Sequence, residues 1–273
     1  MESAYRAAGL VRFGGSGGVD IHKPKPWHGV REFLKEYLII VIGVLTALGA
    51  EQVVQAVDWS RRVGDTERDL RAELQSNAVN AFGRLVSARC ATVQIQARRL
   101  ALRDSGEHNS PVPLMAPYRR GQQAWPTDSW ESARTSQLTG HIETDRLRRY
   151  SLAYTLAAAF REQQRAEQDL KPGVDTLSDN AGQLTPQERD RIFLALRQLE
   201  EQSNRLDLLA FRYLEAVGRL GISVPKQDRV RMVKSGSDYY GKSALGDCVQ
   251  DPSPWLGDGE KAVSWVSTRQ GAP

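Results

Sequence analysis

Chemistry-bearing residues are scarce in this chain of 273 residues, which holds only two cysteines and four histidines. Cys90 and Cys248 give neither a zinc spacing nor a CxxC redox pair. His22, His28, His108 and His141 contain no pair at metal spacing on an expected helix, and no H-E-x-x-H occurs. Aromatics make up 7% of the chain against 40% hydrophobic residues overall, so a core must be built mainly from aliphatic side chains and alanine. A charge bias of one sign is lacking as well. The 37 Lys and Arg oppose 33 Asp and Glu, for a net charge of +4. Between Ser60 and Glu73 the signs alternate, and Glu67 and Arg71 stand one helical turn apart. That is the pattern of a solvated helix face with local ion pairs, not of a segregated basic surface. The chain is therefore expected to have no nucleic-acid partner, no cofactor and no catalytic residues.

Long uncharged runs are nearly absent too, with one exception. Tyr37 to Ala50 is uncharged for 14 residues, shorter than the roughly 20 needed to cross a hydrocarbon core. Three readings compete. A span from Tyr37 to about Val57 accepts Glu51 near its outer third and sets Tyr37 and Trp59 about 33 Å apart, at the two interfaces where aromatic rings gather. A carboxyl there can protonate, reach headgroup water or pair across a helix dimer. A cleavable signal peptide would use Ala47 to Gly49 as its small-residue site. Against it stand a leader of more than 30 residues and the acidic Glu32 and Glu36 before the apolar run. A buried helix of a soluble core fits poorly, because Ile39 to Leu45 is apolar on every face. The sequence favours the span, as a transmembrane helix over residues 33–59.

Gly43, Ala47, Ala50 and Val54 form a smooth stripe at helical spacing, which lets two membrane helices approach closely. Glu51, Gln52 and Gln55 can add hydrogen bonds between them. The partners expected are membrane lipid and either a second copy or another envelope protein. Sidedness is a near tie: Lys23, Lys25, Arg31 and Lys35 lie before the span, Arg61, Arg62, Arg68 and Arg71 after it. A short N-terminal tail usually stays inside while a long C-terminal domain can be translocated, so the expectation is N-terminus in the cytoplasm and domain outside. Outside, Cys90 and Cys248 could form one disulfide; inside, they would be two small buried hydrophobes.

The run HKPKPWHGVREFLKEY from His22 to Tyr37, followed by LTALGAEQVV from Leu45 to Val54, resembles a family of uncharacterised bacterial membrane-anchored proteins. A weaker echo lies at Trp130 to Ala133. The resemblance implies a juxtamembrane segment and span ahead of a helical domain in the bacterial inner membrane. It implies no activity and no site residues.

The rest of the chain reads as helical. Residues 1–32 form a flexible, Gly-rich tail in which Pro24 and Pro26 keep the backbone extended. Beyond Trp59 a helical pattern runs to about Arg103, with Leu70, Leu74, Ala78, Phe82, Leu85, Ala88, Ala91 and Ile95 on one stripe and Gly64 as a point of kinking. Proline density marks residues 104–127 as a long loop. A short helix starts at Asp128, with Glu131 three residues on and Gly140 as its end. Glu143 to Leu170 follows, stopped by Lys171, Pro172 and Gly173. Thr185, Pro186 and Glu188 open the clearest helix, which Gly221 closes. Long amphipathic helices must bury their stripes against one another or a second subunit, so residues 60–222 are expected to form an antiparallel helical bundle with coiled-coil-like spacing. Residues 223–273 read as an irregular tail with a strand-like piece at Val230 to Val233.

Two motifs match an enzyme signature formally. Gly236 to Ser243 fits G-x-x-x-x-G-K-[ST], in which Gly236 and Gly241 shape a phosphate loop, Lys242 pairs with phosphates and Ser243 with magnesium. No apolar strand precedes it and no long helix follows, so the context is wrong. Gly14 to Gly18 fits G-x-S-x-G but sits in the Gly-rich tail. Trp125 and Trp130 suit packing of the loop onto the helices better than lining a site. The functional expectation is a membrane-anchored structural or interaction protein. A ligand-sensing helical domain acting with a partner, and a nucleotide-binding protein through residues 236–243, are the alternatives.

Overall fold

A computed structural model describes residues 29–179, 182–241, 247–257 and 259–270. It is mainly helical, and among the described residues no strand forms, only an isolated bridge between Val112 and Gly182. Among the described residues seven α-helices follow in order: α1 (Gly29–Val86), α2 (Ala88–His108), α3 (Asp128–Thr135), α4 (Thr144–Asp179), α5 (Pro186–Gly218), α6 (Lys226–Tyr240) and α7 (Gly259–Gln270). Two 3-10 turns, Leu138–His141 and Ser253–Trp255, lie between them. The chain divides into two compact units, residues 1–56 and 57–273.

In the first unit, the described residues are the leading half of α1. Every large apolar side chain of this stretch other than Val41 is exposed, Ile39 at 70% and Leu45 at 62% among them. This is the one helix long and apolar enough to cross a membrane among the described residues. Its most apolar window is unburied by the described residues.

In the second unit the stripe read from the sequence is the core. Leu70, Leu74, Ala78, Phe82 and Leu85 are all fully buried, packed with Tyr150, Tyr154 and Phe160 of α4 and Leu206, Ala210 and Tyr213 of α5. Helices α4 and α5 run antiparallel in a steady register: Gly173 lies against Ala195, Gln163 accepts from Gln202, and Arg149 donates to the carbonyl of Arg219. A smaller apolar cluster sets Ile95 and Leu102 of α2 against Val174, Leu177, Ile192, Leu196 and Leu199.

Helix ends follow local chemistry. Thr185 and Glu188 exchange hydrogen bonds in a full capping box, with Pro186 in the first turn. At the far end Gly221 takes φ +70°, and the amides of Gly221 and Ile222 reach back to the carbonyls of Gly218 and Val217. That pairing is a Schellman closure, and the buried Ile222 and Val217 supply its apolar contact.

Several expectations need correction. The helical path expected from Trp59 to about Arg103 is interrupted at Ser87, between α1 and α2. Pro172 does not stop α4, which continues to Asp179. An interior proline costs about 3 kcal/mol, but the next two turns bury Val174 and Leu177 completely, worth about 1.5–3 kcal/mol each. Burial wins. Helix α3 starts at Asp128 as expected, but Thr127 holds the N-cap position and gives no side-chain cap, and the helix ends at Thr135, short of Gly140. The loop is shorter, since α2 extends to His108.

The largest correction concerns residues 223–273. Val230 to Val233 belongs to α6, not to a strand, and α7 lies beyond it. The period of α6 is hidden because one position of its inward stripe is a glycine. Met232 sits against Gly83, and Tyr240 is buried two turns on. Between them, a Cβ at Gly236 would lie 3.0 Å from Val86. The glycine permits the close approach of α6, and the eye reads it as a gap. In α7 the buried set is Ala262, Trp265 and Val266, the i, i+3, i+4 triad of a short docked helix.

The capping box offers a clean test of α5. Thr185→Ala should lower unfolding free energy by about 1 kcal/mol, while Thr185→Ser should retain most of it, both measured by denaturant titration.

Candidate functional site

The strongest concentration of buried charge lies beside the core. Arg84, near the end of α1, donates two hydrogen bonds to the Glu167 carboxylate of α4, at 2.9 and 2.8 Å. Its Nε lies 3.2 Å from Asp207 of α5. Arg120, from the segment between α2 and α3, donates to Asp207 at 2.5 Å and to Ser203 at 2.6 Å. All four charged side chains are at least nine-tenths buried. Two cations meet two anions, so the cluster is neutral as a whole. Arg84 also lies 5.7 Å from the Phe160 ring centre, and Trp125 stacks on Phe160 and meets Tyr213 edge-on.

Electrostatics follow from this pairing. Burial alone would raise the Glu167 carboxyl, but the guanidiniums of Arg84 and Arg120 outweigh it and hold it below the ordinary carboxylate range. Burial pushes the Tyr118 hydroxyl far up, with Arg120 opposing, so it stays a neutral phenol. No carboxylate here is left as a general base, and no nucleophile is paired with one. The arrangement acts as a clasp.

What it clasps is residues 109–127. Four prolines leave this strap short of donors, and its extended backbone forms no ladder of its own. Helix side chains supply the partners. The Gln94 amide pairs with both the N–H and the carbonyl of Arg119, each at 2.8 Å. Gln164 does the same for Gln123, at 3.4 and 2.9 Å. Asn77 donates to Pro126, Asn80 to Ala124, Arg98 to Ala116, and Asp175 accepts from the Tyr118 amide. Two carboxamides thus stand in for a neighbouring strand.

Sequence reading missed all of these residues. The signal was there: Glu73, Asn77, Asn80 and Arg84 recur at steps of four, three and four, a polar stripe beside the apolar one. A proline-rich segment whose backbone needs partners was the second half of it.

The residues singled out from the sequence lie elsewhere. Gly43, Ala47, Ala50 and Glu51 are all exposed on α1, and Glu51 accepts from Gln55 within the helix. Cys90 and Cys248 are joined by a disulfide, with Cα atoms 4.8 Å apart. Gly236 and Gly241 do not frame a phosphate loop. Gly236 to Tyr240 is helix, and the Gly241 amide closes it onto Ser237. Lys242, Ser243, the Gly14 to Gly18 run, His22 and His28 lie outside the described residues. His141 stacks on Trp59 at 3.9 Å, and His108 contacts Asp104. Trp125 is 3% exposed, and Trp130 stacks on Tyr154. Both aromatics are packing residues. Among the described residues no group of three His, Cys, Asp or Glu could hold a metal ion.

Comparison with protein-family models, curated proteins and solved structures finds no match. The surface therefore has to be read from its own chemistry. An open groove of about 620 Å³ runs along α2 and α5, floored by Val93, Ala97, Leu100 and Phe193, with Arg99 and Arg103 beside them. Leu100 and Phe193 are exposed there, and Arg99 covers the Phe193 ring at 5.9 Å while pairing with Glu200.

The clasp predicts a large effect from a half-removed pair. Arg84→Met strands Glu167 without its bidentate partner and should destabilise the domain by about 3–5 kcal/mol, read from denaturant unfolding. The pH dependence has a definite sign. The folded Glu167 value lies below the unfolded one, so its contribution is present above the ordinary carboxylate pKa of about 4.3 and is lost as pH falls through the lower folded value. Glu167→Gln should flatten the acid limb of the melting-temperature profile; an acid limb as steep as the parent's would rule the assignment out.

Proposed function

We propose that this chain is a membrane-anchored helical interaction protein of the bacterial cell envelope, without catalytic activity of its own. The leading half of α1 is its anchor in the cytoplasmic membrane, and the helices from residue 57 onward form a bundle on the non-cytoplasmic side. One observation carries the reading: an apolar helix near the N-terminus whose large side chains lie almost entirely exposed. Leaving that much apolar surface in water is unfavourable at about 25 cal/mol per Å², and lipid removes the penalty.

Sidedness is supported by the Cys90–Cys248 bond. Flanking positive charge is balanced, so it decides nothing. Disulfides form and persist in oxidising compartments and are rare in the cytosol. The bond therefore supports a cytoplasmic N-terminus and an outer domain.

An interaction role is supported by what the domain exposes and by what it conceals. Its buried charges are paired within the ion cluster or, as with Arg98, bonded to the strap. Its open surface carries the apolar groove of Val93, Leu100 and Phe193, suited to another protein's side chains rather than to a charged small molecule. Within the membrane, the stripe of Gly43, Ala47 and Ala50 favours a second helix, and Glu51 gains from a partner that shields it.

The test uses intact cells expressing the full chain. Washing membranes with carbonate should leave the protein in the pellet, and a protease added outside spheroplasts should remove the domain. Recovery of the untreated protein in the soluble fraction would end the anchor reading. Protection of the domain from external protease would reverse its sidedness.

A further inference from the structure

The C-terminal arm, residues 247–257 and 259–270, is attached at one structural joint. Helix α1 ends at Val86, Ser87 breaks the helical path, and α2 begins at Ala88. The Val86 carbonyl takes its hydrogen bond from the Gln250 amide at 3.2 Å. Four residues past Val86, Cys90 is bonded to Cys248, two residues before Gln250. Val249, between them, packs against Gly236 of α6, so three consecutive residues of the arm are seated at the break. Beyond this seat the arm turns across α5. Trp265 meets Phe211 edge-on at 5.2 Å, and Ala262, Trp265 and Val266 are buried there.

We propose that the arm is a cover clipped by the Cys90–Cys248 bond: with the bond formed it stays on α5, and with the cysteines as thiols it leaves, baring Leu208 and Phe211. Three observations carry this. A 12-residue helix is too short to hold its shape alone in water, so the order of α7 comes from docking. The clip ties the arm across a sequence separation of 158 residues, so its loss frees many conformations of the undocked state. The surface beneath is apolar enough to serve another chain once open, since Leu208 and Phe211 already line a small open pocket beside Trp255 and Val263.

The bond is also guarded. Cys90 is fully buried and Cys248 nearly so, beneath Tyr240, Val93 and Val249. Exchange with a dithiol reductant breaks the S–S bond, leaves two thiols on this chain and converts the reductant to its own disulfide. With both sulfurs buried, the attacking sulfur reaches the bond only when Tyr240, Val93 or Val249 moves aside. The inference is independent of the membrane reading.

The experiment is hydrogen exchange by mass spectrometry on the full chain in detergent micelles. The parent is compared with a Cys90→Ala/Cys248→Ala variant and with the parent after reduction by a phosphine. Exchange across residues 259–270 should rise at least tenfold in both, while residues 150–160 of α4 stay as protected as in the parent. Unchanged protection of the arm would overturn the proposal, because the non-covalent contacts would then suffice. An equal rise in α4 would overturn it too, since the bond would then staple the whole domain and not a cover.

Discussion

The interaction on which the domain depends is the paired guanidinium–carboxylate cluster of Arg84, Glu167, Arg120 and Asp207. Its members come from α1, α4, the strap and α5, so it can form only when all four are in place. Taking these ions out of water is expensive, and the pairing repays the penalty only with good geometry and further hydrogen bonds. The bidentate Arg84–Glu167 pair and the Ser203 hydroxyl on Arg120 meet that demand. Apolar packing alone tolerates sliding between aliphatic stripes. A cluster of this kind does not tolerate it, because a shift of one turn would strand a charge. We read it as the device that fixes register among otherwise similar helices.

The same logic explains the strap. A segment of 19 residues with four prolines could be a loose excursion over the surface, yet it is tied to the helices by a series of side-chain hydrogen bonds to its backbone. Gln94 and Gln164 each answer both backbone groups of one residue, and Arg120 carries the strap's own charge into the cluster. The strap and the cluster are therefore one structure. Remove Arg120 and Asp207 loses its shorter guanidinium contact; remove the carboxamides and the strap loses the paired hydrogen bonds that Gln94 and Gln164 supply.

How much of this was legible in the sequence depends on which kind of residue carried it. Aliphatic periodicity announced Leu70, Leu74, Phe82 and Leu85 as core, and the Thr185, Pro186 and Glu188 signature placed the start of α5 to the residue. These are local signals, set by spacing within one helix. What stayed hidden was non-local. Pro172 reads as a stop because its penalty is local, whereas the burial of Val174 and Leu177 that overrides it depends on α5. Gly236 reads as a break because its use, close approach to Val86, requires knowing where α6 lies. The ion cluster draws one residue from each of four segments, and no spacing rule links Arg84 to Asp207.

The joint at Ser87 gathers these hidden features in a short stretch of chain. Gly83 receives Met232, Arg84 enters the ion cluster, Val86 gives its carbonyl to Gln250, Cys90 is bonded to Cys248, and Gln94 holds the strap. An unbroken helix would satisfy the Val86 carbonyl internally and leave nothing there for the arm to join. The break at Ser87 frees that carbonyl, and the C-terminal segment completes the joint in its place. A helix interruption that would otherwise be a weak point becomes the place where the strap, α6 and the C-terminal arm are all fastened, which is why the packing on either side of it can stay rigid.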